Sequence, residues 1–342
     1  MQSIKDIRER LGWSQAEFKD ALNKRLGRSY DRHTISRWEN NRQPIPNEVM
    51  RDIRLLLDHK KREPKIVTFA NQKGGVGKTT SALNISMALT KMGYRVLLID
   101  ADPQASATSA ILGSGMVDVY REGRTLAHTL LKDRPLRDVI VKEAEEYHGL
   151  VVPFDFCASH IELAEVDVKR EPGTEGLLRE VLDQVKEDYE FIVIDCPPHL
   201  GFLTWMALVA SGLVFVPVRT EPYDVMGVNL ILDTISKVHR RANPRLRVGG
   251  ILPTQYSSRH FVDVEIINHL ITVTAGKTVV LEPVPSSTAF GNAAWAAKIA
   301  LDTNPKHKAL QSYVRLAAAI ANDGQFALAT PVLVNQPVEE HV

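Results

Sequence analysis

The sequence has 342 residues, 44% of them hydrophobic and 24% charged, with a formal net charge of +1. That composition fits an ordinary soluble globular chain of about two domains and excludes a collagenous, wholly disordered or disulfide-framed protein. No run of about 18 uncharged apolar residues marks a membrane span, and the polar start Met1-Gln2-Ser3-Ile4-Lys5-Asp6 has no apolar signal core, so a cytosolic protein with no membrane partner is expected.

The charge is unevenly placed. Residues 1–65 hold 16 Lys and Arg against 10 Asp and Glu, and the remainder holds 26 against 31. A basic end on a near-neutral chain suggests an acidic partner such as nucleic acid. Within it, Ile4, Ile7, Leu11 and Trp13 form an apolar stripe. Ser14-Gln15-Ala16-Glu17 then reads as a capping box, opening a helix with Phe18, Ala21, Leu22 and Leu26 on one face and Gly27 at its end. After a polar turn, Thr34 is expected to cap a short helix through Asn40. A further helix begins near Pro44, Pro46 and Asn47 and runs toward Leu57 and Lys61, with Val49, Ile53 and Leu56 inward.

The segments 11–18 and 34–42 resemble the helix-turn-helix of phage-repressor-type regulators. The second of the paired helices enters the major groove in that family, while the first touches phosphate. The resemblance implies a backbone contact from Gln15, DNA-facing roles for Arg32, His33, Thr34, Ser36 and Arg37, and core roles for Ile35 and Trp38. The segment from Asn23 to Arg32 looks a few residues longer than the usual link, which leaves the angle of the recognition helix open. A helical dimerisation module that touches no DNA would share much of this pattern.

A charged, proline-ended stretch, 59–65, reads as a linker, placing the first module at 1–58. Beyond it, a β-prone run enters Asn71-Gln72-Lys73-Gly74-Gly75-Val76-Gly77-Lys78-Thr79-Thr80, and a helical pattern follows from Ser81 to Leu89. Strand, glycine-rich turn and helix together form the context of a phosphate loop. Its N–H groups and the helix N-terminus attract anions. Lys78 suits the terminal phosphates and the Thr79 hydroxyl suits Mg²⁺. The loop departs from the common spacing, with Gln72 where glycine is usual and a second lysine, Lys73, beside it.

Continuous apolar runs at 66–70, 96–99, 150–152, 191–194, 213–218 and 248–252 alternate with helical patterns. Such runs imply strands buried on both faces, hence an α/β, doubly wound, mostly parallel sheet over 66–325, with ligands beyond the strands' carboxyl ends. Two of the runs end in acid: Asp100-Ala101-Asp102-Pro103-Gln104 and Asp195-Cys196-Pro197-Pro198. A strand-end Asp can hold Mg²⁺ through water. The basic run 237–247, with Arg240, Arg241 and Arg245, is expected to be exposed, and the tail 326–342 to be disordered.

Over residues 65–320 the chain resembles a ParA-type partition ATPase of the deviant Walker A group, which also includes MinD. The residues that carry this are Lys73–Thr80, Asp100–Gln104, Ile194–Thr204, Val216–Pro222 and Pro285–Phe290. Joined to the N-terminal module, they resemble the longer plasmid ParA proteins that also repress their own operators. The resemblance implies ATP/ADP and Mg²⁺ as ligands, a homodimer, a ParB-like centromere-binding partner, operator DNA at the helix-turn-helix and nonspecific DNA on the ATP dimer. Lys73 would reach across the dimer to the partner's phosphates and Lys78 would bind β/γ phosphates in its own subunit. Gly74, Gly75, Val76, Gly77 and Thr80 would complete the phosphate cradle. Thr79, Asp100 and Asp195 would serve the metal, Asp102 would orient the attacking water, and residues near Pro217 and Pro253 would border the base. Arg240, Arg241 and Arg245 would meet nonspecific DNA. A MinD-type protein would need a basic amphipathic C-terminal helix, which 331–342 lacks, and the iron–sulfur reductases of this group need bridging cysteines. An ATP-liganded transcription regulator without a segregation role shares all these motifs and stays open.

Overall fold

The computed structural model describes residues 4–10, 12–40, 42–46, 49–50, 52–53, 63–169 and 173–331. In the basic module, α1 (Ile4–Arg10), α2 (Gln15–Leu26) and α3 (Arg32–Glu39) bury Ile4, Ile7, Phe18, Leu22, Ile35 and Trp38 together with Val49, Met50 and Ile53. The capping box at Ser14 and Glu17 forms, and α2 ends at Gly27 with φ 60°. The cap of α3 differs from expectation. Asp31, not Thr34, holds the extended N-cap position (φ −90°, ψ 171°), and its side chain accepts from the Thr34 N–H at 2.7 Å. Both residues can cap; the one with β-region backbone does so. The end of α2 at Gly27 is as the sequence indicated, but α3 starts at Arg32, three residues earlier than a cap at Thr34 would place it, so the link is 27–31. Asn23 clamps the turn, its amide bonding the Tyr30 N–H at 2.7 Å and the Tyr30 carbonyl at 2.9 Å. The helix expected after Pro46 and the linker fall largely outside the described residues.

From Lys65 onward six strands form one parallel sheet: β1 (Lys65–Phe69), β2 (Val96–Asp100), β3 (Asp155–Cys157), β4 (Phe191–Asp195), β5 (Leu213–Arg219) and β6 (Arg247–Thr254). Their order is β3-β2-β4-β1-β5-β6. Strands β2 and β4 are buried at every position, as two-sided cover requires. One face packs on α4 (Lys78–Lys91) and α8 (Lys308–Asn322); the other packs on α5 (Phe202–Ala210) and α6 (Val228–Arg241). A further helix, α7 (Phe261–Thr274), follows β6.

Two expectations about extent are corrected. The run 150–152 is not a sheet strand: Leu150–Val151 pairs only with Glu146–Tyr147 in a small antiparallel hairpin, and the edge strand is Asp155–Cys157. Nor does order stop at residue 325. Phe326 packs edge-on against Phe215, with ring centroids 5.4 Å apart, and Ala327 and Ala329 exchange backbone hydrogen bonds with Glu282 and Val280. Those contacts anchor 326–329 to the domain; 332–342 lies outside the described residues. Among the described residues no helix is long and apolar enough to cross a membrane.

Candidate nucleotide site and nucleic-acid interface

β1 delivers the loop 71–77 to the start of α4, between β4 and β5. The turn needs positive φ at Gly77 (87°), where a residue bearing Cβ would be strained and would crowd the Thr254 side chain at 3.4 Å. Lys78 opens α4 with its side chain folded back, Nζ donating to the Lys73 carbonyl at 2.7 Å. It is 6% exposed, and burial lowers its pKa against the opposing pull of Asp195, Cys196 and Asp102. Gly74 and Gly75 are exposed, Thr79 and Thr80 half-buried, and Val76 is buried.

The rest of the loop is braced from β5 and β6 by groups not singled out in the sequence. Asn71 donates to the Pro217 carbonyl at 2.7 Å, Thr254 Oγ1 to the Val76 carbonyl at 2.9 Å and Gln255 to the Gly75 carbonyl at 2.9 Å. Gln72, standing where glycine is usual, donates to the Gly227 carbonyl at 3.1 Å. Pro217 and Pro253, expected near the base, lie buried in the β5–β6 ladder. The exposed neighbours at that strand end include Glu221, Pro222, Tyr223 and Gln255.

Strand register brings the acidic motifs together, Asp100 on β2 lying opposite Asp195 on β4. Their surroundings differ. Asp100 was expected to serve the metal, but three protein donors already occupy its carboxylate: the Asp102 N–H at 3.1 Å, the Thr108 N–H at 2.9 Å and the Thr108 hydroxyl at 2.7 Å. It therefore anchors the turn 100–108 rather than offering a free ligand. Burial pushes its pKa up to about 7 despite these bonds. Asp195 is fully buried, and among the described residues no hydrogen bond of good geometry reaches either oxygen, although the Thr79 hydroxyl lies near enough to act on it. Burial, then Asp100, raises its pKa well above the ordinary carboxylate value, while the Thr79 hydroxyl and Lys78 act in the opposite direction. A buried carboxylate without partners beside a phosphate loop suits a divalent cation. Among the described residues no group of three or more His, Cys, Asp or Glu could hold such an ion. Thr79 and Asp195 would hold it together with phosphate and water oxygens.

Removing that charge has a measurable consequence. Asp195→Asn is expected to stabilise the nucleotide-free chain by roughly 1–2 kcal/mol, because a neutral amide escapes the burial and the repulsion from Asp100 that penalise the charged carboxylate. A raised folded-state pKa favours the native state at low pH and loses that advantage as pH rises. The difference in Tm between variant and parent should therefore widen from about pH 5 to about pH 8, read by differential scanning fluorimetry.

Asp102 is 6% exposed, with Oδ1 accepting from the Gln104 N–H at 2.9 Å and its own carbonyl held by Ser159 at 2.7 Å. Burial raises its pKa; Lys78 and His199 pull it down. His199 escaped sequence reasoning. Its Nε2 lies 2.8 Å from Asp167, which also accepts from the N–H groups of Phe202 and Leu203 at the start of α5. Lys73 does not extend into solvent: Nζ meets Asp224 Oδ1 at 2.8 Å and the Tyr223 carbonyl at 2.6 Å.

In the basic module Arg32, His33 and Arg37 are exposed on α3, Thr34 and Ser36 are half-buried, and Ile35 and Trp38 sit in the core. Gln15 is committed internally, donating to Glu39 at 2.6 Å; Glu39 also accepts from Arg8 at 2.6 Å. Arg240 and Arg241 end α6 and Arg245 precedes β6, all exposed at the edge where the strands begin and opposite the loop.

A family model described as an AAA domain matches residues 64–248, and one described as a helix-turn-helix matches 4–58. The sporulation initiation inhibitor protein Soj of Bacillus subtilis is 33% identical over 262 residues, covering 76% of this chain and 99% of the relative. The chromosome partitioning protein ParA of Caulobacter vibrioides is 33% identical over 259 residues, covering 75% and 93%. The chain belongs to the ParA/Soj family of partition ATPases. A solved structure of cobyrinic acid a,c-diamide synthase from Mycobacterium smegmatis, with bound ADP and magnesium, aligns with TM-score 0.64 at 29% identity over 78% of this chain and all of that one. This ParA/Soj member carries its helix-turn-helix ahead of the ATPase domain.

Proposed function

We propose that the chain is a Mg²⁺-dependent ATPase that partitions DNA and represses its own operon. Module 4–58 would bind an operator, and the domain from residue 65 through about 331 would run the nucleotide cycle. The observation that carries the nucleotide reading is the orphaned Asp195 carboxylate beside Thr79 and Lys78. It fits a Mg²⁺ ion, which when bound would neutralise charge on the transferred phosphoryl group. Lys78 exchanges its bond to the Lys73 carbonyl for a phosphate oxygen. The loop N–H groups from Gly74 to Thr80 and the N-terminus of α4 cradle the phosphates. Asp102 orients the attacking water, and Lys73 enters the site of a second copy. ATP thereby closes a dimer, hydrolysis to ADP and phosphate opens it, and catalysis is mainly positioning and charge neutralisation.

Arg240, Arg241 and Arg245 give the dimer a phosphate-binding edge, a contact that needs only charge. A ParB-like adaptor on the cargo DNA triggers hydrolysis. The deciding assay is ATP turnover with nonspecific DNA and a centromere-binding partner. Stimulation by both supports partition, whereas nucleotide binding without turnover supports an ATP-liganded regulator. Asp195→Asn should also lose the Mg²⁺-dependent part of nucleotide-induced thermal stabilisation.

The recognition helix can be tested separately. Arg37→Ala is expected to weaken operator binding about 10- to 100-fold while leaving turnover without DNA unchanged, measured by fluorescence anisotropy and phosphate release. Equal loss of both would argue against separable modules.

A further inference from the structure

Lys73 is tied to its own subunit by a built arrangement. Its ammonium meets Asp224 Oδ1 at 2.8 Å and the Tyr223 carbonyl at 2.6 Å, so two of its three donors are engaged. The Asp224 side chain is 2% exposed, and its second oxygen accepts from Arg219 Nε at 2.8 Å. Arg219 in turn reaches Glu221 at 3.1 Å. Both sides of the contact are held. Gln72, next to Lys73, bonds the Gly227 carbonyl, and a Cβ at residue 227 would clash with Gln72 Nε2. Residues 72 and 73 of the phosphate loop are thus stitched to 223–227, far along the chain.

We propose that Asp224 is a counter-ion latch: it parks Lys73 on its own subunit when no nucleotide is bound, and pairing of two copies requires Lys73 to leave it. The inference rests on the reading of Lys73 as a ligand to the neighbour's triphosphate. Asp224 acts through Lys73 and is a positioning residue. Burial would raise the pKa of its carboxyl, but Arg219 and Lys73 outweigh burial and hold it below the ordinary value. Stripping the last cation from a buried carboxylate is costly. Arg219 stays behind when Lys73 departs, so the latch can open. A triphosphate then competes with a carboxylate already shared between two cations, and its greater charge wins the lysine. The latch thus sets the nucleotide level at which copies pair.

The test uses the full chain with Mg²⁺ and a nonhydrolysable ATP analogue. Reductive methylation of Lys73, followed by mass spectrometry without nucleotide, should be slow in the parent and several-fold faster in Asp224→Asn. The analogue concentration at half-maximal self-association, from sedimentation velocity, should fall about tenfold in Asp224→Asn. Asp224→Glu should restore both values toward the parent. Arg219→Gln leaves Lys73 as the sole cation on Asp224, so its midpoint should move to higher analogue concentration; this opposite shift tests the latch even if Asp224→Asn folds poorly. Equal labelling of Lys73 in parent and Asp224→Asn, or midpoints that fail to move in opposite directions, would overturn the latch. If labelling responds as expected but Lys73→Ala self-associates like the parent, the reading of Lys73 as a ligand across the dimer is what fails.

Discussion

Lys78→Ala should lower nucleotide affinity and turnover by at least about 100-fold, the usual loss when a preorganised charge is removed from a water-poor site. The lysine is buried, its ammonium rests on a loop carbonyl, and the charges of Asp195 and Asp102 act on it. Alanine removes the cation and leaves those carboxylates facing the phosphates. The fold should survive, because the loop is braced independently through Asn71, Gln72, Thr254 and Gln255. Isothermal titration with an ATP analogue and phosphate-release kinetics provide the check. Near-parental affinity would remove Lys78 from the phosphate site.

Asp102→Ala should separate binding from chemistry. Turnover should fall about 100-fold or more, the range typical of a group that positions or deprotonates a nucleophile. ATP should still bind, since Lys78, Thr79 and the loop amides are untouched. The variant should accumulate as a DNA-retaining ATP dimer. Its carboxylate sits at the start of the turn that Asp100 and Ser159 hold through the Asp102 backbone, so truncation deletes the water-orienting group and its bond to the Gln104 N–H while those two holds remain. Rapid hydrolysis by this variant would refute the role.

What could be read from the sequence was what is local. The phosphate loop declares itself within ten residues, since strand, glycine turn and helix start are contiguous, and the apolar runs announced a parallel sheet because two-sided burial removes alternation. Long-range pairing could not be read. Asp100 and Asp195 become neighbours only through the register of β2 on β4, and only the completed turn at Thr108 shows that one is saturated and the other orphaned. Asp224 meets Lys73 across 151 positions of sequence. At short range the misses were choices between competing local signals. Asp31 and Thr34 both suit a helix cap, and the apolar run 150–152 outranks 155–157, which opens on a charged Asp155; backbone dihedrals settled the first and pairing with β2 the second. Phe326 carries no periodic signal in the sequence, yet it packs edge-on against Phe215.

The central claim is that each copy lends Lys73 to the other's site, and a mixing experiment addresses it directly. In an isologous pair of Lys73→Ala with Lys78→Ala, one site keeps its own Lys78 and receives the partner's intact Lys73, while the other lacks both. An equimolar mixture of these two inactive variants should therefore regain ATP turnover, up to about a quarter of the parental rate, from half the pairs with one working site each. A mixture no more active than the sum of its components, under conditions where the parent turns over, would show that Lys73 serves its own subunit and would contradict the account.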